Sequence, residues 1–157
     1  MNPAEILKQR RLEKRLTKEA VWSSAGMTSS EYQDVEDHGP EAFEVLRLHQ
    51  LRRICAFLDL DMVRLVDECL PAPFTGEFSR EWARMRRNEL ILAARGRRGW
   101  TQDELADRIG FETVAVERME LEGAFLESWS VDLITELASV LGVPRTPLLT
   151  LGPEEDL

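Results

Sequence analysis

Long apolar runs are missing from this chain. No stretch approaches the roughly 20 residues needed to cross a bilayer. The opening MNPAEILKQRR has none of the apolar length of a signal peptide. The expectation is a cytoplasmic protein with no membrane association. Cysteine is scarce: only Cys55 and Cys69 occur, neither with a partner at metal-ligand spacing. Cys55 shares a helical face with Leu51, Ile54 and Leu58 and reads as core; Cys69, beside a proline-rich stretch, reads as partly exposed. The two histidines are His38, in a Gly-Pro loop, and His49, on a helix. Neither belongs to an HExxH or zinc pattern, and no glycine-rich phosphate loop is present. Carboxylates are many but scattered, as on a solvated surface. No enzyme activity, metal or other cofactor is therefore expected. Alternation of apolar and polar residues is also lacking, which argues against a sheet.

What is present is helical periodicity in 157 residues, 43% of them hydrophobic. That is enough for one ordinary domain or two small ones. Asn2 and Pro3 mark a helix start, and the pattern runs to about Arg15. Thr17 caps a second helix that ends at Gly26, and a third spans about Thr28 to Asp37. After His38-Gly39-Pro40 the pattern predicts one long helix, about Glu41 to Leu58, then a short one from Asp61 to Glu68. Ser79 is expected to cap a long basic helix to about Arg95. Helices at Gln102–Ile109, Thr113–Glu120, about Ser130–Leu141 and Thr146–Leu149 follow. The expected division is residues 1–69, a linker at 70–78, residues 79–151, and a mobile acidic tail at 152–157.

One pattern occurs twice. Residues 100–110 read WTQDELADRIG, and residues 16–26 read LTKEAVWSSAG. Each copy has an arginine six residues before its threonine and a glutamate nineteen after it: Arg95, Thr101 and Glu120; Arg11, Thr17 and Glu36. Two sets of five helices at an offset of 84 residues, 83 by Leu58 and Leu141, indicate a duplication. The pattern resembles the phage-repressor and Cro-like (XRE) helix-turn-helix family. The resemblance implies an all-α fold of two tandem five-helix lambda-repressor-like domains, the first degenerate. In the second copy Ala106 fills the small position beneath the recognition helix, Gly110 makes the turn, and Leu105, Ile109, Val116 and Met119 fix the crossing. Arg95–Glu120 and Arg11–Glu36 match a family pair that forms a mostly buried salt bridge. In the first copy Trp22 takes the small position and Ala25 replaces the large aliphatic residue, a swap that roughly conserves volume. Trp22 and Trp100 are expected to be core. Trp82 and Trp129 are candidates for core or interface packing.

The family implies a DNA-binding transcriptional regulator of repressor type, reading DNA with the second copy. Its base-reading positions fall on Glu112, Thr113, Val114, Glu117 and Arg118, where Arg118 suits a bidentate contact to guanine. In the first copy they fall on Thr28, Ser29, Ser30, Gln33 and Asp34. Thr101 and Gln102 match positions that touch phosphate at a helix N-terminus, and Arg98 completes a phosphate-facing rim. The formal net charge of −9 pulls the other way, since groove binding relies on Lys and Arg. The loops after the third helices, residues 38–44 and 122–127, hold neither. Basic residues concentrate instead at Lys8–Lys18 and Arg80–Arg98, each with net charge +5. The competing expectation is an acidic protein-binding module, such as an antitoxin, anti-activator or DNA mimic, with a protein partner or a second copy docking on Phe43, Phe125 and Leu126.

Overall fold

Asn2 starts the first helix by exchanging hydrogen bonds with Glu5: Glu5 N–H donates to Asn2 Oδ1 at 2.9 Å, and Asn2 N–H donates to Glu5 Oε2 at 3.1 Å. Pro3 then opens α1, Pro3–Glu13. The computed structural model describes residues 2–37, 39–71 and 80–151, without the Pro40 side chain. Among these residues regular structure is helical and no strand forms. They cluster into two compact units, Met1–Pro71 with Ser130–Asp132, and Ala72–Trp129 with Leu133–Leu157. The expected linker beyond Pro71 and the 152–157 tail lie outside the described residues, as does Ser79.

In the first unit α1 buries Ala4, Leu7 and Arg11 along one stripe. Thr17 caps α2, Lys18–Ser24, accepting from the Ala20 N–H at 3.1 Å. Helix α3, Ser29–Asp37, buries Tyr32 and Val35. Helix α4 is a single turn, Ala42–Val45, and α5 runs Leu48–Phe57. Asp61 caps α6, Met62–Cys69. The long helix expected over 41–58 is thus broken at Leu46, which is extended at ψ 127°. Leu46 and Leu48 are both fully buried. In an unbroken helix residues two apart point about 200° away from each other, so one leucine would face water. Burying a leucine is worth about 1.5–3 kcal/mol, more than the roughly 0.5–1.5 kcal/mol of one interrupted backbone hydrogen bond.

In the second unit α7 runs Arg87–Arg98, preceded by a 3₁₀ turn at Trp82–Arg84. The basic helix expected to begin at Ser79 starts eight residues later, because Arg86 is extended (ψ 152°) and its N–H is accepted by the Glu89 carboxylate at 3.3 Å. Thr101 and Glu104 close a capping box at the head of α8, Gln102–Ile109. Gly110, at φ 73°, turns the chain into α9, Thr113–Leu121; a side chain there would sit in a conformation that L residues avoid. A 3₁₀ stretch, Gly123–Ser128, leads on to α10, Val131–Leu141, and α11, Thr146–Leu149. Leu90, Ile91, Ala94, Leu105, Ala106, Val116, Met119, Ile134, Leu137 and Leu148 form the core.

Candidate nucleic-acid interface

The arginine and glutamate of each repeat meet in the fold. Arg95 donates through Nε and Nη2 to the two oxygens of Glu120, the second at 3.2 Å, and through Nη1 to the Trp100 carbonyl at 2.8 Å. Arg11 does the same with Glu36, at 2.8 and 3.3 Å, and with the Leu16 carbonyl at 3.0 Å. Each cradle thereby ties the first and third helices of its unit to the start of the second. A third donor completes each carboxylate. The Gln102 amide donates to Glu120 Oε2 at 2.8 Å, and Lys18 Nζ stands 3.4 Å from Glu36 Oε2. Glu36 also accepts from the Tyr32 hydroxyl at 2.9 Å. Burial opposes the charge on Glu36, but the hydrogen bonds from Arg11 and Tyr32 and the nearby cations prevail and hold its carboxyl below the ordinary value. Burial and the Glu36 charge push the Tyr32 phenol up.

Tyr32 also corrects the reading of the first unit. Tyr32, where the second unit has Val116, is fully buried, whereas Trp22 is only half-buried. The expectation that Trp22 is core does not hold, and Tyr32 is the large residue of this unit that turns inward.

The candidate contact residues of the second unit divide sharply. Gln102 is committed to Glu120. The Thr101 hydroxyl accepts from the Glu104 N–H at 3.2 Å, and the Thr113 hydroxyl donates to Asp103 Oδ1. Glu112, Val114, Glu117 and Arg118 face outward. Arg118 lies over the Phe125 ring, 4.4 Å from its centroid. In the first unit Ser29, Ser30, Glu31, Gln33, Asp34 and Asp37 make an exposed polar and acidic face. The Thr28 backbone and hydroxyl, hydrogen-bonded to Glu31, lower its carboxyl pKa.

Arg98 is exposed, with its guanidinium 5.5 Å from the Trp100 ring centroid and against Gly142. Arg108, which the spacing argument passed over, stands over the same ring at 4.1 Å, and Arg97 stands over Trp82 at 5.2 Å. Trp100 is therefore a half-exposed platform for two cations rather than core. Its position two residues before α8 hides this from any helical-wheel reading. Phe43 and Leu126, expected at the surface, are buried at 1% and 0% exposure, and Phe125 is half-buried, stacked edge-on against Trp129. The apolar side chains that do face out on α9 are Val114, 51% exposed, and Leu121, 82% exposed. No cluster of His, Cys, Asp and Glu suited to a metal occurs among the described residues, and no described helix is long and apolar enough to cross a membrane.

Compared with family models, curated proteins and solved structures, the chain has no match.

Proposed function

We propose that this chain is a DNA-binding transcriptional regulator of repressor type, built from two tandem helix-turn-helix units, in which the second touches the duplex. The observation that carries the reading is the pair of exposed guanidinium groups, Arg98 and Arg108, held over Trp100 at the head of α8. Cations prearranged beside the start of one helix, with the outward face of the next helix exposed, suit a phosphate backbone running past a groove. Arg118 is the base-reading candidate, and Gln102 leaves the phosphate-facing rim, since its amide is engaged with Glu120. Arg108 joins Arg98 in the phosphate-facing rim.

The test is fluorescence anisotropy with random-sequence duplex DNA at low salt and again at about 0.2 M salt, a range over which phosphate contacts weaken steeply. Binding that falls with salt, with a log-log slope reduced by about one in Arg98→Ala and in Arg108→Ala, supports the reading. On a selected operator, Arg118→Ala should lose about 1–3 kcal/mol of discrimination. No binding at low salt removes the reading. The second reading, an acidic protein-binding module, rests on the acidic outer face of α3 and the exposed Val114 and Leu121 of α9.

A further inference from the structure

The outward stripe of α9 reads Val114, Glu117, Arg118, Leu121, a spacing that places all four on one helical face. Val114 and Leu121 are 51% and 82% exposed, and Glu117 and Arg118 are exposed between them. The first unit has Ser30, Gln33, Asp34 and Asp37 at the same four positions, 84 residues earlier, with no apolar group among them. An exposed leucine and valine at the ends of one short helix are thus particular to the second unit and serve none of its described packing.

The order along the stripe is its own complement. If two α9 helices lie antiparallel about a two-fold axis passing between positions 117 and 118, Val114 of each copy meets Leu121 of the other, and Glu117 of each meets Arg118 of the other. A two-fold interface requires this self-complementarity, in which residue i meets j and j meets i. Parallel alignment would instead set Glu117 against Glu117 and Arg118 against Arg118. We propose that α9 is a self-association surface, and that its occupant is the α9 of a second copy of this chain. The Phe125 ring beneath Arg118, 4.4 Å from its guanidinium carbon, holds that cation at the helix surface, where the partner's carboxylate would meet it. The patch is small, so the association is weak, on the order of 0.1 mM, in the class of transient contacts. It stands without the DNA reading, because no duplex takes part in it; it would occupy the same face of α9.

Sedimentation equilibrium on the full chain at low salt, with circular dichroism to confirm folding, tests the proposal. By symmetry each charge substitution acts twice. Glu117→Arg or Arg118→Glu should therefore weaken the dimer about tenfold or more, and the double variant Glu117→Arg/Arg118→Glu should restore it. Leu121→Ser should weaken it without changing the charge. A chain that stays monomeric up to about 1 mM overturns the proposal. So does a dimer indifferent to Glu117→Arg, or a double variant no better than the singles. Open-ended assembly beyond a dimer would also overturn it, since that requires a head-to-tail contact.

Discussion

The two units close their first helices with the same hydrogen bonds but not with the same residue. In the second unit Gly99 takes φ 70°, with the Trp100 N–H returning to the Arg95 carbonyl at 3.3 Å. In the first unit Arg15 stands there at φ 56°, and the Leu16 N–H returns to the Arg11 carbonyl at 3.0 Å. A left-handed conformation costs a residue with a Cβ about 1–2 kcal/mol. Arg15 is exposed and loses little by truncation. Replacing it with glycine relieves that strain but loosens the unfolded chain by roughly 0.5–1 kcal/mol. Arg15→Gly is therefore expected to stabilise the first unit by about 0.5–1 kcal/mol. The reciprocal change is equally clean: a Cβ on Gly99 meets nothing within 4 Å. Gly99→Ala should thus cost about 1 kcal/mol through backbone conformation alone. Thermal unfolding followed by circular dichroism reads both, at about 4–8 °C per kcal/mol for units of this size. An Arg15→Gly chain that melts earlier than its parent, or a Gly99→Ala chain that melts at the parent temperature, would refute the reasoning.

Glu120→Ala removes a buried carboxylate, strands the partly buried Arg95 and Gln102, and should cost about 3–5 kcal/mol in urea unfolding, whereas Gln102→Ala, which leaves the ion pair, should cost about 1 kcal/mol. The lowered pKa of Glu36 means that its contribution is fully present above the ordinary carboxylate value and is lost as pH falls through the lower folded value; urea midpoints should fall in acid more steeply for the parent than for Glu36→Gln, and parallel curves would contradict the linkage. Burial, aided by the Asp61 charge, pushes the Cys55 thiol up to about 12, so a thiol reagent near neutral pH should modify the half-exposed Cys69 of the folded chain well before Cys55, with both reacting in denaturant.

Where residues act within one turn of one another, the sequence alone located them: the Asn2 and Thr17 caps and the Gly110 turn are where their patterns placed them. The two Arg–Glu pairs followed from the family spacing and meet in the fold. What stayed hidden depends on groups that chain spacing does not relate. The break at Leu46 answers to packing from both sides of the chain. Arg108, in the last turn of α8, stands over Trp100, which precedes that helix. Tyr32 rather than Trp22 is fully buried, with its hydroxyl donating to Glu36 one turn along the same helix. Of the candidate contact residues, the pattern supplied Arg98, Glu117 and Arg118 on the surface, but it did not reveal that Gln102 and Thr113 are committed to Glu120 and Asp103.

The Glu36 carboxylate has a bearing on how this chain is free to change over generations. Its two oxygens face four donors: Arg11 Nε, Arg11 Nη2, the Tyr32 hydroxyl and Lys18 Nζ. The second unit serves the same carboxylate position with Gln102 where the first has Lys18, and with Val116 where the first has Tyr32. In both units the arginine alone gives each carboxylate oxygen one donor, and the remaining groups add to it. Losing the tyrosine hydroxyl leaves Glu36 Oε1 with the Arg11 Nε donor, and losing the lysine removes a cation that helps keep the carboxylate ionised. Positions 18 and 32 are therefore coupled through Glu36, whereas Ser30, Gln33 and Asp34 lie on the exposed outer face of the same helix, away from that carboxylate.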